Sequence, residues 1–160
     1  DAKSCNCSPR INIAGTPQPF DDRIVFIGDS GVTRLYKDGI GAAYRTSKAA
    51  ATTAVLQGIS AEDFKEHYWP ACRKIETDNM IGQVMFLVTR IIQGQKIARR
   101  AVLRMTADEQ KAADSNKRMS MVLWDMFTGS APYREIFVRT LSPAFLARLV
   151  GDLAISITGR

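Results

Sequence analysis

The chain has 160 residues, 46% of them hydrophobic and 24% charged, an ordinary balance for one globular domain or for a partial domain with an appendage. Its net charge of +6 and pI near 9.5 permit attraction to an anionic membrane or to nucleic acid, but the cations form no single dense block, so nucleic acid is set aside as a partner. Three cysteines exclude a disulfide framework.

Cys5 and Cys7 sit one residue apart, too cramped for a routine bridge. With His67 and Cys72 they match no usual zinc spacing, so no metal site is expected and all three cysteines read as reduced thiols of a cytoplasmic protein. No charged n-region with an apolar h-region opens the sequence. A first strand is predicted at Ile11–Ala14. A second, Arg23–Ile27, is expected to be buried and parallel, because its run of Ile24, Val25, Phe26 and Ile27 lacks a polar face. Gly28 follows, and having no Cβ it allows a ligand or another backbone to come close. Asp29 then stands just past the carboxyl end of the strand. An ionised carboxylate only accepts hydrogen bonds, which suits a polyol offering two hydroxyl donors. After a polar loop, Gly39-Ile40-Gly41 opens an alanine-rich helix carrying Ala42, Ala43, Ala49, Ala50 and Ala51. The first amides of that helix are left uncovered, and with the positive end of its dipole they favour a carbonyl or an anion.

An apolar strand, Gly28-Asp29, a loop and Gly39-Ile40-Gly41 at a helix start resemble the second, C-terminal FAD fingerprint of the glutathione-reductase-type flavoproteins. The branch it is most similar to is that of the aromatic hydroxylases and geranylgeranyl reductases. The resemblance spans roughly residues 11–57. It implies that Asp29 holds ribityl hydroxyls and that the amides of Gly39, Ile40 and Gly41 face the N1–C2=O edge of the isoalloxazine, with Gly28 giving close approach. It also implies a reduced nicotinamide donor or an apolar small-molecule substrate. The loop departs from many relatives, with Arg34, Leu35, Tyr36, Lys37 and Asp38 where small residues and a Pro are usual. The plainer alternative is a generic strand–helix unit whose Asp only caps a turn.

The G-x-G-x-x-G expected on the opening strand of a Rossmann-like FAD fold is not in these residues, and the sequence starts with Asp1. Both point to the C-terminal piece of a longer polypeptide, which by itself should hold FAD weakly or not at all.

Beyond Gly58 the pattern turns helical. Ser60 with Asp63 reads as a capping box, placing a helix start at Ala61. Pro70 should kink or restart that helix. From Met80 to Ile92, Ile81, Val84, Met85, Val88, Ile91 and Ile92 fall at helical spacing and predict a buried helix, too short and too polar at Gln83 and Arg90 to span a membrane. Lys96, Arg99, Arg100 and Arg104 with Ile97, Ala101, Val102 and Met105 make a basic amphipathic helix. It is read as the solvated outer face of a core, with peripheral contact to an anionic membrane as the functional alternative. Thr106 with Glu109 predicts another helix start, and Met119, Val122, Leu123, Met126 and Phe127 the core face of the next helix, stopped by Gly129. Ser130-Ala131-Pro132 opens one more helix, with Tyr133, Ile136, Phe137 and Leu141 inward, and Ser142-Pro143 a last one through Phe145, Leu146, Leu149, Val150 and Leu153. Trp69, Trp124, Tyr68 and Tyr133 could line a cavity for an apolar substrate, although aromatics at helical spacing are more often core. His67, the one histidine, has no nucleophile motif beside it and is not taken as catalytic.

The expected fold is therefore α+β and mostly α: a strand–loop–helix remnant of an FAD-binding α/β domain over residues 1–58, followed by a helical domain over 59–160. The expected function is the C-terminal segment of an FAD-dependent oxidoreductase. The alternative is a helical protein-interaction or membrane-docking module with no cofactor of its own.

Overall fold

The computed structural model describes residues 14–36, 38–112 and 117–158. Cys5, Cys7 and all of the predicted first strand except Ala14 lie outside them. The fold is mostly α, with one small antiparallel sheet. Strand β1 (Phe20–Asp21) pairs with β2 (Ile24–Val25) in the register Phe20 to Val25 and Asp21 to Ile24. This corrects the expected buried, parallel strand at Arg23–Ile27. Asp22 and Arg23 form a two-residue turn with Arg23 in the left-handed region, at φ 59°, which sends the chain straight back on itself. Ile24, Phe26 and Ile27 are exposed, whereas Phe20 is buried edge-on against Trp69.

Helix α1 (Gly39–Leu56) buries Ala42, Thr46, Ala50 and Thr53, a stripe at helical spacing. The buried hydroxyls of Thr46 and Thr53 donate to the carbonyls of Ala42 and Ala49, each at 2.9 Å, so this small-residue face leaves no donor wasted. After Gly58, Ser60 and Asp63 form the capping box read from the sequence, and α2 (Ala61–Asp63) begins at Ala61. The register then slips through a π-turn at Phe64–Tyr68 before α3 (Trp69–Gly94), with Pro70 in the first turn, where its missing N–H costs nothing. Extended Gln95 breaks the chain into α4 (Lys96–Lys111). Next come α5 (Arg118–Thr128), ended by Gly129 at φ 77°, then α6 (Tyr133–Thr140) and α7 (Pro143–Thr158).

Two apolar cores result. One gathers Phe20, Val32, Ala42 and Ala50 with Phe64, Tyr68, Cys72 and Ile75, so residues from both sides of Gly58 share it. The other packs Met85, Met105, Met119, Val122, Met126, Tyr133, Ile136 and Phe145. The four aromatics proposed as one cavity are separated, Tyr68 in the first core, Tyr133 in the second, and Trp124 in solvent.

Two other expectations change. Thr106–Glu109 begins no helix: it lies inside α4, where the Thr106 hydroxyl donates to the Val102 carbonyl and Glu109 instead accepts from the amides of Met119 (2.9 Å) and Ser120 (2.8 Å) at the start of α5. The second half of α3 is buried on one side only, by Gly82 and Met85, while Val84, Leu87, Val88 and Ile91 face solvent. The outward-facing positions of the last helices follow suit, since Phe137, Leu141, Leu146 and Val150 are exposed. Among the described residues no single helix is long and apolar enough to cross a membrane; only α6 and α7 taken together, bent by 65°, pass by length and composition.

Candidate functional site

The turn around Gly28 and Asp29 carries the first part of the predicted site, and its backbone is tightly specified. Gly28 is buried at φ 58°, a conformation that favours glycine, and a Cβ there would lie 3.1 Å from that of Ala43 on α1. Its N–H donates to the Thr46 hydroxyl at 2.9 Å, and its carbonyl accepts from Gly31 and Val32. These bonds close a single 3₁₀ turn, Gly28–Ser30, that lifts Asp29 to the surface. Gly31 has no room for a side chain, because a Cβ would stand 2.3 Å from the Phe26 carbonyl oxygen.

The turn aims the Asp29 carboxylate at the tip of α1. Its two oxygens lie 3.6 and 3.8 Å from the position a Cβ would take on Gly39. Among the described residues Asp29 makes no ion pair or hydrogen bond, and no hydrogen bond uses the N–H of Gly39, Ile40 or Gly41; the first helical amide with a partner is that of Ala42, bonded to the Asp38 carbonyl at 2.9 Å. The N-cap residue, Asp38, is left-handed at φ 80°, and its side chain caps nothing. Ile40 is almost wholly exposed. Asp29 thus stands beside Gly39 at the start of α1, while the Asp38 carboxylate fills the space that a side chain on Gly41 would take; the amides of Gly39, Ile40 and Gly41 have no partner among the described residues. Such a set can accept from hydroxyl donors on one side and donate to a carbonyl or a partial negative charge on the other.

A second layer holds this arrangement and had no signature in the sequence. Arg34 leaves the loop and is buried in the helical part, its Nη1 donating to the Gly129 carbonyl at 2.7 Å and its Nη2 to that of Ala131. Its guanidinium carbon lies 4.5 Å from the Tyr133 ring centroid, and it pairs with Asp38 at 3.5 Å and Asp78 at 3.8 Å. Asp38 is also held by Arg45 at 2.8 Å. Asp78 in turn accepts from the amides of Tyr133 (3.0 Å) and Arg134 (2.9 Å), capping α6. Asn79 fixes the same loop, accepting from the Leu35 amide at 2.9 Å and donating to the Thr33 carbonyl at 2.8 Å. Beyond Asp38 an open cleft of about 950 Å³ runs between α3 and α6, with Arg45, Lys74, Ile81, Arg134 and Val138 on its walls.

No family model matches this chain, and neither curated proteins nor solved structures give a match. The site is therefore read from its own chemistry. His67 is exposed, 4.0 Å from Glu66, and among the described residues no cluster of His, Cys, Asp and Glu could hold a metal ion. Burial pushes the Cys72 thiol up, with the Glu76 charge adding to it, so this cysteine is a packing residue and a poor nucleophile.

Proposed function

We propose that the chain is the C-terminal segment of an FAD-dependent oxidoreductase, in which Asp29 binds the ribityl hydroxyls and the tip of α1 faces the pyrimidine edge of the flavin. One observation supports the reading: the carboxylate of Asp29 stands 3.6–3.8 Å from the Cβ position of Gly39, beside a helix start whose first amides have no partner among the described residues. Polyol and ring edge are joined within one cofactor, and acceptors suited to the one and donors suited to the other stand on neighbouring elements here. The residues fit the group chemically, since Asp29 supplies acceptors and the helix tip supplies donors, while the Asp38 carboxylate that lies over Gly41 is paired with Arg34 and Arg45.

When bound, FAD would supply the hydride-accepting ring. The chain's own part is to orient that ring and to stabilise negative charge developing at its N1 side through the α1 amides, without reorganisation of solvent. Gly28 and Gly31 keep the Asp29 turn flat against α1. The cleft beside Asp38 offers Ile81 and Val138 to an apolar substrate, while its cations Arg45, Lys74 and Arg134 share the walls with the carboxylates of Asp38, Asp78 and Glu135.

The test is flavin retention in the polypeptide that joins this segment to a G-x-G-x-x-G strand. Asp29→Ala removes charge-assisted hydrogen bonds of about 1.5–3 kcal/mol each, which converts to a loss of affinity of roughly ten-fold or more per bond. Asp29→Asn should retain an intermediate share, because the amide oxygen still accepts. Flavin absorbance per mole of protein after desalting reports the outcome, and equal occupancy in all three proteins removes the assignment.

A further inference from the structure

Residues 79–107 contain five cations, Arg90, Lys96, Arg99, Arg100 and Arg104, and not one aspartate or glutamate. They form the second half of α3, the break at Gln95 and most of α4, and the outward face of this elbow is apolar as well as cationic. Leu87 is 59% exposed, Val88 49%, Ile91 56%, Ile97 44% and Leu103 62%, beside exposed Arg90, Lys96, Arg99 and Arg100. None of these four cations has a carboxylate partner among the described residues. Arg99 instead donates to the Gln93 carbonyl at 2.8 Å, bracing the turn between the helices. The inner face of the same helix is conventional, with Ala101 and Met105 fully buried.

We propose that the α3–α4 elbow is a docking surface for an anionic phospholipid bilayer, with Leu87, Val88, Ile91, Ile97 and Leu103 entering the headgroup boundary and the cations lying among lipid phosphates. Two independent features select this occupant. Exposed aliphatic side chains cost free energy in water and gain it in acyl chains, whereas a polynucleotide backbone rewards the cations alone. A second copy of the chain would set two unneutralised cationic elbows against each other, and the repulsion opposes self-association. The acid-free stretch gives the elbow's own residues one sign of charge, which is what an anionic leaflet attracts. The proposal does not depend on flavin binding.

The test is flotation of the 160-residue chain with vesicles of phosphatidylcholine alone or mixed with phosphatidylglycerol, at low and high ionic strength. Binding is expected to the mixed vesicles only, and to weaken as salt screens the surface. Lys96→Gln with Arg100→Gln should lower the partition constant about thirty-fold, since each cation near the surface contributes about 1 kcal/mol. Leu87→Ser with Ile91→Ser should lower it at least ten-fold with net charge unchanged. All four positions are exposed, so circular dichroism should show the same helical content in every variant. No binding at low salt, equal binding to both lipids, or indifference to both double substitutions overturns the proposal. Salt-sensitive binding to duplex DNA in a parallel arm without vesicle binding overturns it in favour of nucleic acid.

Discussion

Replacing Arg34 by methionine keeps much of the side-chain volume and deletes the donors that fasten the site loop to the helical core. Two charge-assisted hydrogen bonds are lost, to the carbonyls of Gly129 and Ala131, worth about 3–6 kcal/mol together. Part of this is returned. The Nε of Arg34 is buried without a partner among the described residues, and its removal relieves about 1–3 kcal/mol of desolvation. The carboxylates left behind are only partly stranded, because Asp38 keeps Arg45 and Asp78 keeps two amides. The net cost is about 2–4 kcal/mol, a large share of the ~5–15 kcal/mol that stabilises a typical domain. With a urea slope near 2 kcal/mol/M, the unfolding midpoint followed by circular dichroism should fall by about 1–2 M at unchanged slope. Arg34→Lys keeps the charge but loses the planar fork, so it should fall between the two. A methionine variant with the midpoint of the parent would show that Arg34 does not secure the loop, and the account of the site's second layer would fail with it.

Two further outcomes follow from packing and burial. Gly82→Ala should destabilise by about 1–3 kcal/mol although alanine is the better helix former, because its Cβ would stand 2.6 Å from the Tyr133 ring, which Arg34 and Phe86 hold in place; a raised melting temperature would refute this. Burial holds both the Cys72 thiol and the Tyr68 hydroxyl above their ordinary range, so the unfolded chain ionises first as pH rises. Stability should be full below pH ~8.5 and decline above it, first through the thiol and then, beyond about pH 10, through the phenol. Thermal melts across this range should show a shallower early decline in Cys72→Ala, and parallel curves for parent and variant would contradict the assignment.

What could be read from the chain follows the range of the interactions involved. Ser60 and Asp63 satisfy each other three residues apart, and Gly129 relieves its own backbone, so both signals are local and the helix boundaries appear where the sequence puts them. Thr106 and Glu109 present the same residue types, but the Glu109 carboxylate is drawn to amides ten and eleven residues further on, a choice that spacing alone does not record. The apolar run before Gly28 looks like a buried strand because hydrophobicity carries no sign of the turn at Arg23, whose positive φ folds the run onto Phe20–Asp21. At the candidate site the backbone role of Gly28 and the exposed charge of Asp29 are announced by their residue types. The role of Arg34 is not, since its carbonyl partners lie 95 and 97 positions away, and neither is that of Thr46, whose hydroxyl accepts from an amide 18 residues earlier.

The reach of Arg34 to Gly129 and Ala131 also has a bearing on how the protein is made. A ribosome delivers the glycine-rich tip of α1 long before it delivers the carbonyls that anchor the adjoining loop. Contacts so far apart in sequence form late, because the intervening chain must first be organised. The nascent polypeptide would therefore pass through a stage in which α1 is formed but not yet aimed, and the loop that carries Asp29 would be fixed only as α5 and α6 emerge and dock.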